Sequence, residues 1–244
     1  MKHFSLRTMS PSNFSHQIQT MFSGIASKYD FLNRILSFGR DRYWRKTAVD
    51  ALEPAPEKTI LDLATGTADI ALEIAARFPN NIKVYGVDIS SSMLRFATSK
   101  AQRKELDRII TFQVAKGERL PFSNEKFHGV IVAFGVRNFM DITEALKEIF
   151  RILKPGYRLV ILEFSVPKNL LLRWAYLLYF QAILPWIGKI ISGHRTAYQY
   201  LVESVITFPN RKDFVEIFNL ILWDCFNLLL AVKNQHFLLQ GECR

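Results

Sequence analysis

The 244-residue chain is 49% hydrophobic, enough for a substantial core in one large domain or two small ones, and one domain is the better reading. Its 32 Lys and Arg against 22 Asp and Glu leave a formal charge of +10, which draws it to anionic surfaces without separating nucleic acid from anionic lipid. The two cysteines, Cys225 and Cys243, have no CxxC or histidine spacing; no metal is expected, and the chain reads as reduced and cytoplasmic.

The first twenty residues carry basic side chains but no apolar run of about 7 to 15 residues, so a secretory signal is not expected. Residues 1–50 read as a polar lead followed by helical pieces around "MFSGIASKYDFLNRIL" and "RYWRKTAVDAL", closed by "EPAPEK". From Thr59 a regular alternation begins. Strands are predicted at 59–64, 82–88, 109–114, 128–133 and 157–164, and helices at 69–78, 91–104 and 141–153. The near-continuous apolar runs "HGVIVAF" and "RLVILEF" suit a sheet covered on both faces, so the pattern predicts a doubly wound α/β domain. In "LKPGYRLVILEF", Pro155 and Gly156 are expected to end one helix and launch the last of these strands.

Beyond Pro167 comes a long apolar, aromatic stretch, then "GHRTAYQYLVESV", then a helix predicted near 211–220. Residues 170–191 are interrupted by Arg173, Gln181, Pro185 and Lys189, short of the roughly 18 to 20 apolar residues of a spanning helix; a buried or surface-lying segment is expected. The tail from Leu220 reads as two strands or as a helix and a strand.

The stretch "LDLATGTADIALEIAARFPNNIKVYGVD", residues 61–88, carries the chemistry. Ligands of open α/β sheets sit at the carboxyl ends of strands, where this sequence puts Asp62, Gly66, Thr67 and Asp69. Small residues at 64–68 let a ligand approach backbone N–H groups, and Asp88 at the tip of the second strand suits the two hydroxyls of a ribose. A dinucleotide is the rival ligand. The GxGxxG spacing is absent, however, and Asp69 stands where phosphate charge would go, at a Coulomb cost of roughly 1 to 4 kcal/mol for charges about 4 Å apart. No GxxxxGK[ST] occurs either. A nucleoside bearing a positive centre and no phosphate, as in S-adenosylmethionine, fits better. Single glycines after apolar strands are also ordinary turn chemistry, and this stretch alone leaves that reading open.

Three further segments, "MFSGIASKYDFLNRILSFGRDRYWRK" (21–46), "FGVRNFMDITEALKEIFRILKPGYRLVILEFSVP" (134–167) and "AYQYLVESVITFP" (197–209), resemble the ubiquinone/menaquinone biosynthesis C-methyltransferases, in particular the demethylmenaquinone methyltransferase branch. The resemblance covers about residues 18–220. It implies a class I S-adenosylmethionine-dependent methyltransferase (Rossmann-like) sheet with N-terminal helices and a helical insertion before the last strands. It implies one domain over 1–244, with a helical cap at 1–50, a cofactor-binding core at 59–164 and a substrate- or membrane-facing insertion at 168–210. The reaction it implies passes a methyl group from S-adenosyl-L-methionine to a ring carbon of a prenylated naphthoquinol; a benzoquinol substrate and a non-catalytic scaffold are the alternatives.

Carried over by position, the cofactor contacts fall on Asp62, Gly66, Thr67, Asp88, Lys116 and Gly117. The family usually has Asn or Asp followed by Ala where this chain has Lys116 and Gly117, and often serine where it has Ala133. Thr65 and Ala68 replace common glycines, and the tail lacks the family's glycine pair before a last strand, so a final hairpin that is rebuilt or poorly formed is expected.

A quinol carbon becomes nucleophilic when a neighbouring hydroxyl ionises, so the site must favour the phenolate and hold the reacting atoms in line. Arg137 would stabilise the oxyanion, Asn138 would fix orientation, and Tyr29 would cover the substrate or hydrogen-bond its oxygen. Against these roles stand a surface salt bridge for Arg137 and packing for Tyr29. Asp30 reads as a helix cap, His194 as a weaker candidate base, His128 as structural, and Glu163 as within reach of the site or of a sheet-edge hydrogen bond. Trp174, Tyr176, Tyr179, Phe180 and Trp186, with Lys168, Arg173, Lys189 and Arg195, have the character of an interfacial element, giving a peripheral membrane contact; a lid or homodimer contact would use the same residues. A nucleic-acid partner is disfavoured because the aromatics cluster with aliphatics and not along a basic groove.

Overall fold

The computed structural model describes residues 11–26, 28–37, 39–79, 81–164, 169–178, 195–209, 213–214 and 227–232. Three helices lead: α1 (Pro11–Ile25), α2 (Tyr29–Leu36) and α3 (Arg40–Leu52). The alternating core follows as β1 (Thr59–Leu63), α4 (Asp69–Arg77), β2 (Lys83–Asp88), α5 (Ser91–Arg103), β3 (Ile110–Val114), β4 (Phe127–Ala133), a 3₁₀ turn (Val136–Asn138), α6 (Ile142–Ile152) and β5 (Leu153–Glu163). Then come α7 (Leu170–Leu178), α8 (Arg195–Thr207) and β6 (Asn227–Val232). His194, Tyr179, Phe180, Trp186, Lys168, Lys189 and nearly all of the helix expected at 211–220 lie outside the described residues.

The six strands pair in the order β3-β2-β1-β4-β5-β6, every neighbour parallel. Side-chain alternation explains the unbroken apolar runs. On β1, β4 and β5, Leu61, Leu63, Val130, Val132, Leu159 and Ile161 join α6 residues Leu146 and Ile149 in one core. The intervening Ile60, Ile131, Val160 and Leu162 join α3 and α4 residues such as Val49, Leu52, Ala71 and Ile74 in a second core on the other face. Chain order reverses between β1 and β4, and a crevice opens there at the carboxyl ends of the strands.

Local chemistry sets the helix starts. Ser90 caps α5 by accepting from the Met93 amide, and Asp141 caps α6 by accepting from the Glu144 amide. Ala68 precedes α4 in the left-handed region (φ 68°) and makes no cap bond. Its place is taken from the sheet: the buried Asp62 carboxylate on β1 accepts from the Ala71 amide at 3.0 Å.

One expectation is corrected. β5 starts at Leu153, before Pro155 and Gly156, because Leu153 already pairs with Phe127. The next partners are Gly129 and Arg158, so the residues between form a bulge, with Gly156 at φ 77°. In the tail, the described strand β6 runs parallel to β5, in register from Arg158 opposite Asn227 to Glu163 opposite Val232.

Candidate functional site

The crevice is a cleft with about 710 Å³ of empty space, its solvent-open mouth included. Its rim comes from the loops after β1 (Ala64, Gly66), β2 (Asp88, Ile89), β3 (Ala115 to Glu118) and β4 (Ala133 to Gly135), which continue into Asn138, Phe139 and Met140. Tyr29 of α2 and Met93 of α5 add to the wall, and Phe14, Ser15, Ile18 and Phe22 of α1 roof it. The roof is tied down where Gln19 Nε2 donates to the Ile89 carbonyl at 3.1 Å and the Ser23 and Ser90 hydroxyls meet at 3.2 Å.

Asp88 organises the floor. One carboxylate oxygen accepts from the Gly66 amide and the other from the Ser90 amide, each at 2.8 Å. Burial pushes the Asp88 carboxyl up, and those amides work against it. Each oxygen keeps a further lone-pair site, so the acid remains able to accept from a ligand's hydroxyls. The Gly66 bond also bears on ligand charge, because the loop amide that a pyrophosphate would use is already directed at a carboxylate.

Gly66 lies at φ 56°, where a β-carbon is strained whatever space surrounds it. At Gly117 a β-carbon would sit 2.7 Å from the Phe139 ring, and at Gly135 one would sit 2.5 Å from the Ala64 methyl. These approaches bring the loops after β1, β3 and β4 together around one space. Lys116, beside Gly117, lines the same space, and its backbone forms an isolated antiparallel β-bridge with Arg119.

Of the residues singled out from sequence, Tyr29, Gly66, Asp88, Lys116, Gly117 and Asn138 line the cleft. Burial raises the Tyr29 hydroxyl above its ordinary value, while the charges of Arg137 and Arg45 and a hydrogen bond with Asn33 oppose the rise. The Asn138 amide oxygen accepts from the Tyr200 hydroxyl at 3.0 Å.

Asp62, Thr67 and Arg137 are turned to other partners. The Thr67 hydroxyl donates to Asp30 at 2.5 Å, and Lys100 reaches from α5 to Asp30 at 2.8 Å and Asp69 at 2.5 Å. Arg45 of α3 completes the set by bridging Asp69 and Asp41. Asp69 is therefore an ion-pair partner. Burial alone would raise its carboxyl, but Arg45 and Lys100 outweigh burial and hold it below the usual range. Asp30 ties α2 to the loop through Thr67 and Lys100. His128 lies at the opposite ends of the strands, where Nδ1 accepts from the Thr59 amide at 3.1 Å.

Arg137 is buried, 4% of its side chain exposed, and forms an ion pair with the equally buried Glu163 at the end of β5. Its guanidinium also donates to the Phe134 carbonyl at 2.7 Å, and its Nε has no partner within the described residues. The pair sits just behind the cleft wall, so a surface salt bridge does not describe Arg137, while Glu163 also accepts backbone bonds at the strand end, from the Phe164 amide at 3.0 Å and the Arg137 amide at 3.4 Å.

The α1 roof escaped the sequence reading, although Phe14, Ile18 and Phe22 recur every four residues, the spacing of one helix face. The polar residues between them hid the stripe.

Asp62 yields a test that does not involve a ligand. Burial pushes its carboxyl up to about 7, against the hydrogen bonds from Thr65 and Ala71. A raised carboxyl binds its proton more tightly folded than unfolded, so its contribution to stability is lost as pH rises from about 4 to about 7. In urea titrations, wild type should lose on the order of a few kcal/mol relative to Asp62→Asn across that window, with a constant gap above it. Parallel pH profiles would contradict the assignment.

The family model described as the ubiE/COQ5 methyltransferase family matches residues 11–221, which takes in every cleft residue named above. The chain belongs to that family. It is 48% identical to the ubiquinone/menaquinone biosynthesis C-methyltransferase UbiE of Geotalea daltonii, over 81% of this chain and 84% of that protein. To the demethylmenaquinone methyltransferase of Thermus thermophilus it is 50% identical, over 78% of this chain and 84% of that one. A solved structure from Methanococcus maripaludis, assigned provisionally as an S-adenosyl-L-methionine-dependent methyltransferase, superposes with a TM-score of 0.60 at 16% identity, covering 84% and 87% of the two chains. That likeness supports the Rossmann-like fold read from the sheet order. The ubiE/COQ5 membership makes this chain an S-adenosylmethionine-dependent methyltransferase, and the charge preference of the Asp88 and Gly66 floor agrees with a phosphate-free sulfonium nucleoside.

Proposed function

We propose that this protein C-methylates the ring of demethylmenaquinol, giving menaquinol, and that the strand-end cleft is where it does so. The observation that carries the reading is the convergence of Asp88, Gly66, Tyr29 and Asn138 on one apolar cleft in a ubiE/COQ5 family chain. S-adenosylmethionine is the methyl donor and supplies, when bound, an electrophilic methyl group on a sulfonium. Asp88 would accept from its ribose hydroxyls, the Gly66 and Thr67 loop would lie along its amino-acid end, and the Lys116 and Gly117 backbone would border its base.

The rest of the chemistry belongs to side chains facing the quinol. Phe14, Ile18, Phe22, Phe139 and Met140 give the ring and the first prenyl units an apolar wall and keep water from the reacting carbon. The Asn138 amide would donate to the quinol oxygen as it ionises, and Tyr29 would close over the ring. Arg137 would act from behind the wall, where its positive charge already reaches the Tyr29 hydroxyl.

The prenyl tail calls for access to a bilayer. No helix among the described residues is long and apolar enough to cross a membrane. α7 nevertheless exposes Leu170, Leu171, Trp174 and Leu178, and no Asp or Glu occurs between Glu163 and Glu203. We assign the 170–191 segment of a single domain to peripheral contact with an anionic cytoplasmic leaflet. The names of several relatives give ubiquinone beside menaquinone, so a benzoquinol is the second reading. Incubation with labelled S-adenosylmethionine and either short-chain demethylated quinol, followed by product mass, separates the two. Methylated naphthoquinol is the expected product, and label in neither leaves the scaffold reading.

A further inference from the structure

We infer that Tyr200, on α8, is a positioning residue that determines which end of the Asn138 amide faces the cleft; the inference rests on the quinol reading above. Tyr200 belongs to the stretch "AYQYLVESV". Its ring packs against the cluster of Phe14 and Ile18, alongside Met140, and so braces the roof of the cleft. Its hydroxyl crosses 62 positions of sequence to donate to Asn138 Oδ1 at 3.0 Å.

The Asn138 backbone is fixed independently, because its amide donates to the Gly135 carbonyl at 2.9 Å within the 3₁₀ turn. What the backbone leaves open is the side-chain torsion that exchanges oxygen for nitrogen. With the oxygen held by Tyr200, the NH₂ group is the end left for the cleft. A quinol oxygen that gains negative charge needs a donor there, and a turned amide would set a carbonyl oxygen against it. Donating to Oδ1, the Tyr200 hydroxyl thus holds the amide in the productive orientation without touching substrate. Phenylalanine at 200 keeps the ring and its packing and removes the hydroxyl that bonds Asn138.

The test uses the full chain as wild type, Tyr200→Phe, Asn138→Ala and the double variant, with labelled S-adenosylmethionine and a short-chain demethylmenaquinol. Tyr200→Phe should lower kcat by about 10- to 100-fold. Quinol KM and calorimetric affinity for S-adenosylhomocysteine should stay within about twofold. The rising limb of kcat against pH should move up by about one unit, since a lost donor makes the bound phenol harder to ionise. In the Asn138→Ala background the same change should have no effect. An unchanged kcat, an equal loss at every pH, or multiplying losses in the double variant would each overturn the inference. A second readout needs no turnover: absorbance of bound 1-naphthol should titrate about one unit higher in Tyr200→Phe than in wild type, and equal titrations overturn the positioning role. A wild type that binds 1-naphthol but does not methylate the quinol defeats the substrate reading alone. A wild type that does neither defeats both.

Discussion

Replacing Asp88 by alanine is expected to weaken binding of S-adenosylhomocysteine by at least about 100-fold, measured by calorimetry on the full chain, and to remove methyl transfer with it. Two losses combine. A carboxylate accepting two hydroxyls makes charge-assisted hydrogen bonds worth about 1.5 to 3 kcal/mol each, and both vanish. The Gly66 and Ser90 amides also lose their acceptor, so the loop after β1 is no longer tied to β2 and the N-terminal end of α5 is loosened. Each orphaned donor costs about 1 to 3 kcal/mol, so the unfolding midpoint should fall as well. A folded variant that keeps full affinity would mean that the nucleoside lies elsewhere.

The contrast between Asp88 and Arg137 shows how far the chain could be read without coordinates. Asp88 was legible because an apolar strand ending in an acid has a nearly fixed outcome: the strand is buried, the acid marks its tip, and the tip is where α/β ligands gather. β2 begins one residue later than expected and ends at the same Asp88. Gly66, Gly117 and Asn138 follow the same logic, each standing one short loop beyond a strand. Thr67 in the loop and Asp62 on β1 still turn away from the cleft: Asp30 and Lys100, from helices distant in sequence, hold the Thr67 hydroxyl, and the Ala71 amide of the helix that follows holds the Asp62 carboxylate. Pairing across 26 positions hides Arg137 and Glu163 in the same way, since only the parallel β4 and β5 register brings them together. The start of β5 is hidden in the sequence because Pro155 and Gly156 read as a boundary, whereas the sheet accommodates them as a bulge beyond the Leu153 pairing.

Arg137 is where stability and chemistry must be separated, and a pair of variants does so. Arg137→Met strips the partner from a Glu163 that is 3% exposed, and breaking a buried ion pair from one side costs about 3 to 5 kcal/mol. It also leaves the Phe134 carbonyl without its donor. A large drop in unfolding midpoint is therefore expected, and lost activity in this variant alone carries no mechanistic meaning. Arg137→Met combined with Glu163→Gln removes both charges and retains an acceptor for the Phe164 amide, which donates to Glu163 at 3.0 Å. Most of the stability should return, because a neutral, hydrogen-bonded replacement of a buried pair costs little. Turnover should not return: without the guanidinium the quinol oxygen ionises in a less positive cleft, and kcat should stay about 100- to 1,000-fold below wild type while S-adenosylhomocysteine affinity recovers. Recovery of kcat together with stability would make Arg137 a strut between β4 and β5, and the stabilisation of the phenolate would then fall to Asn138 and Tyr29.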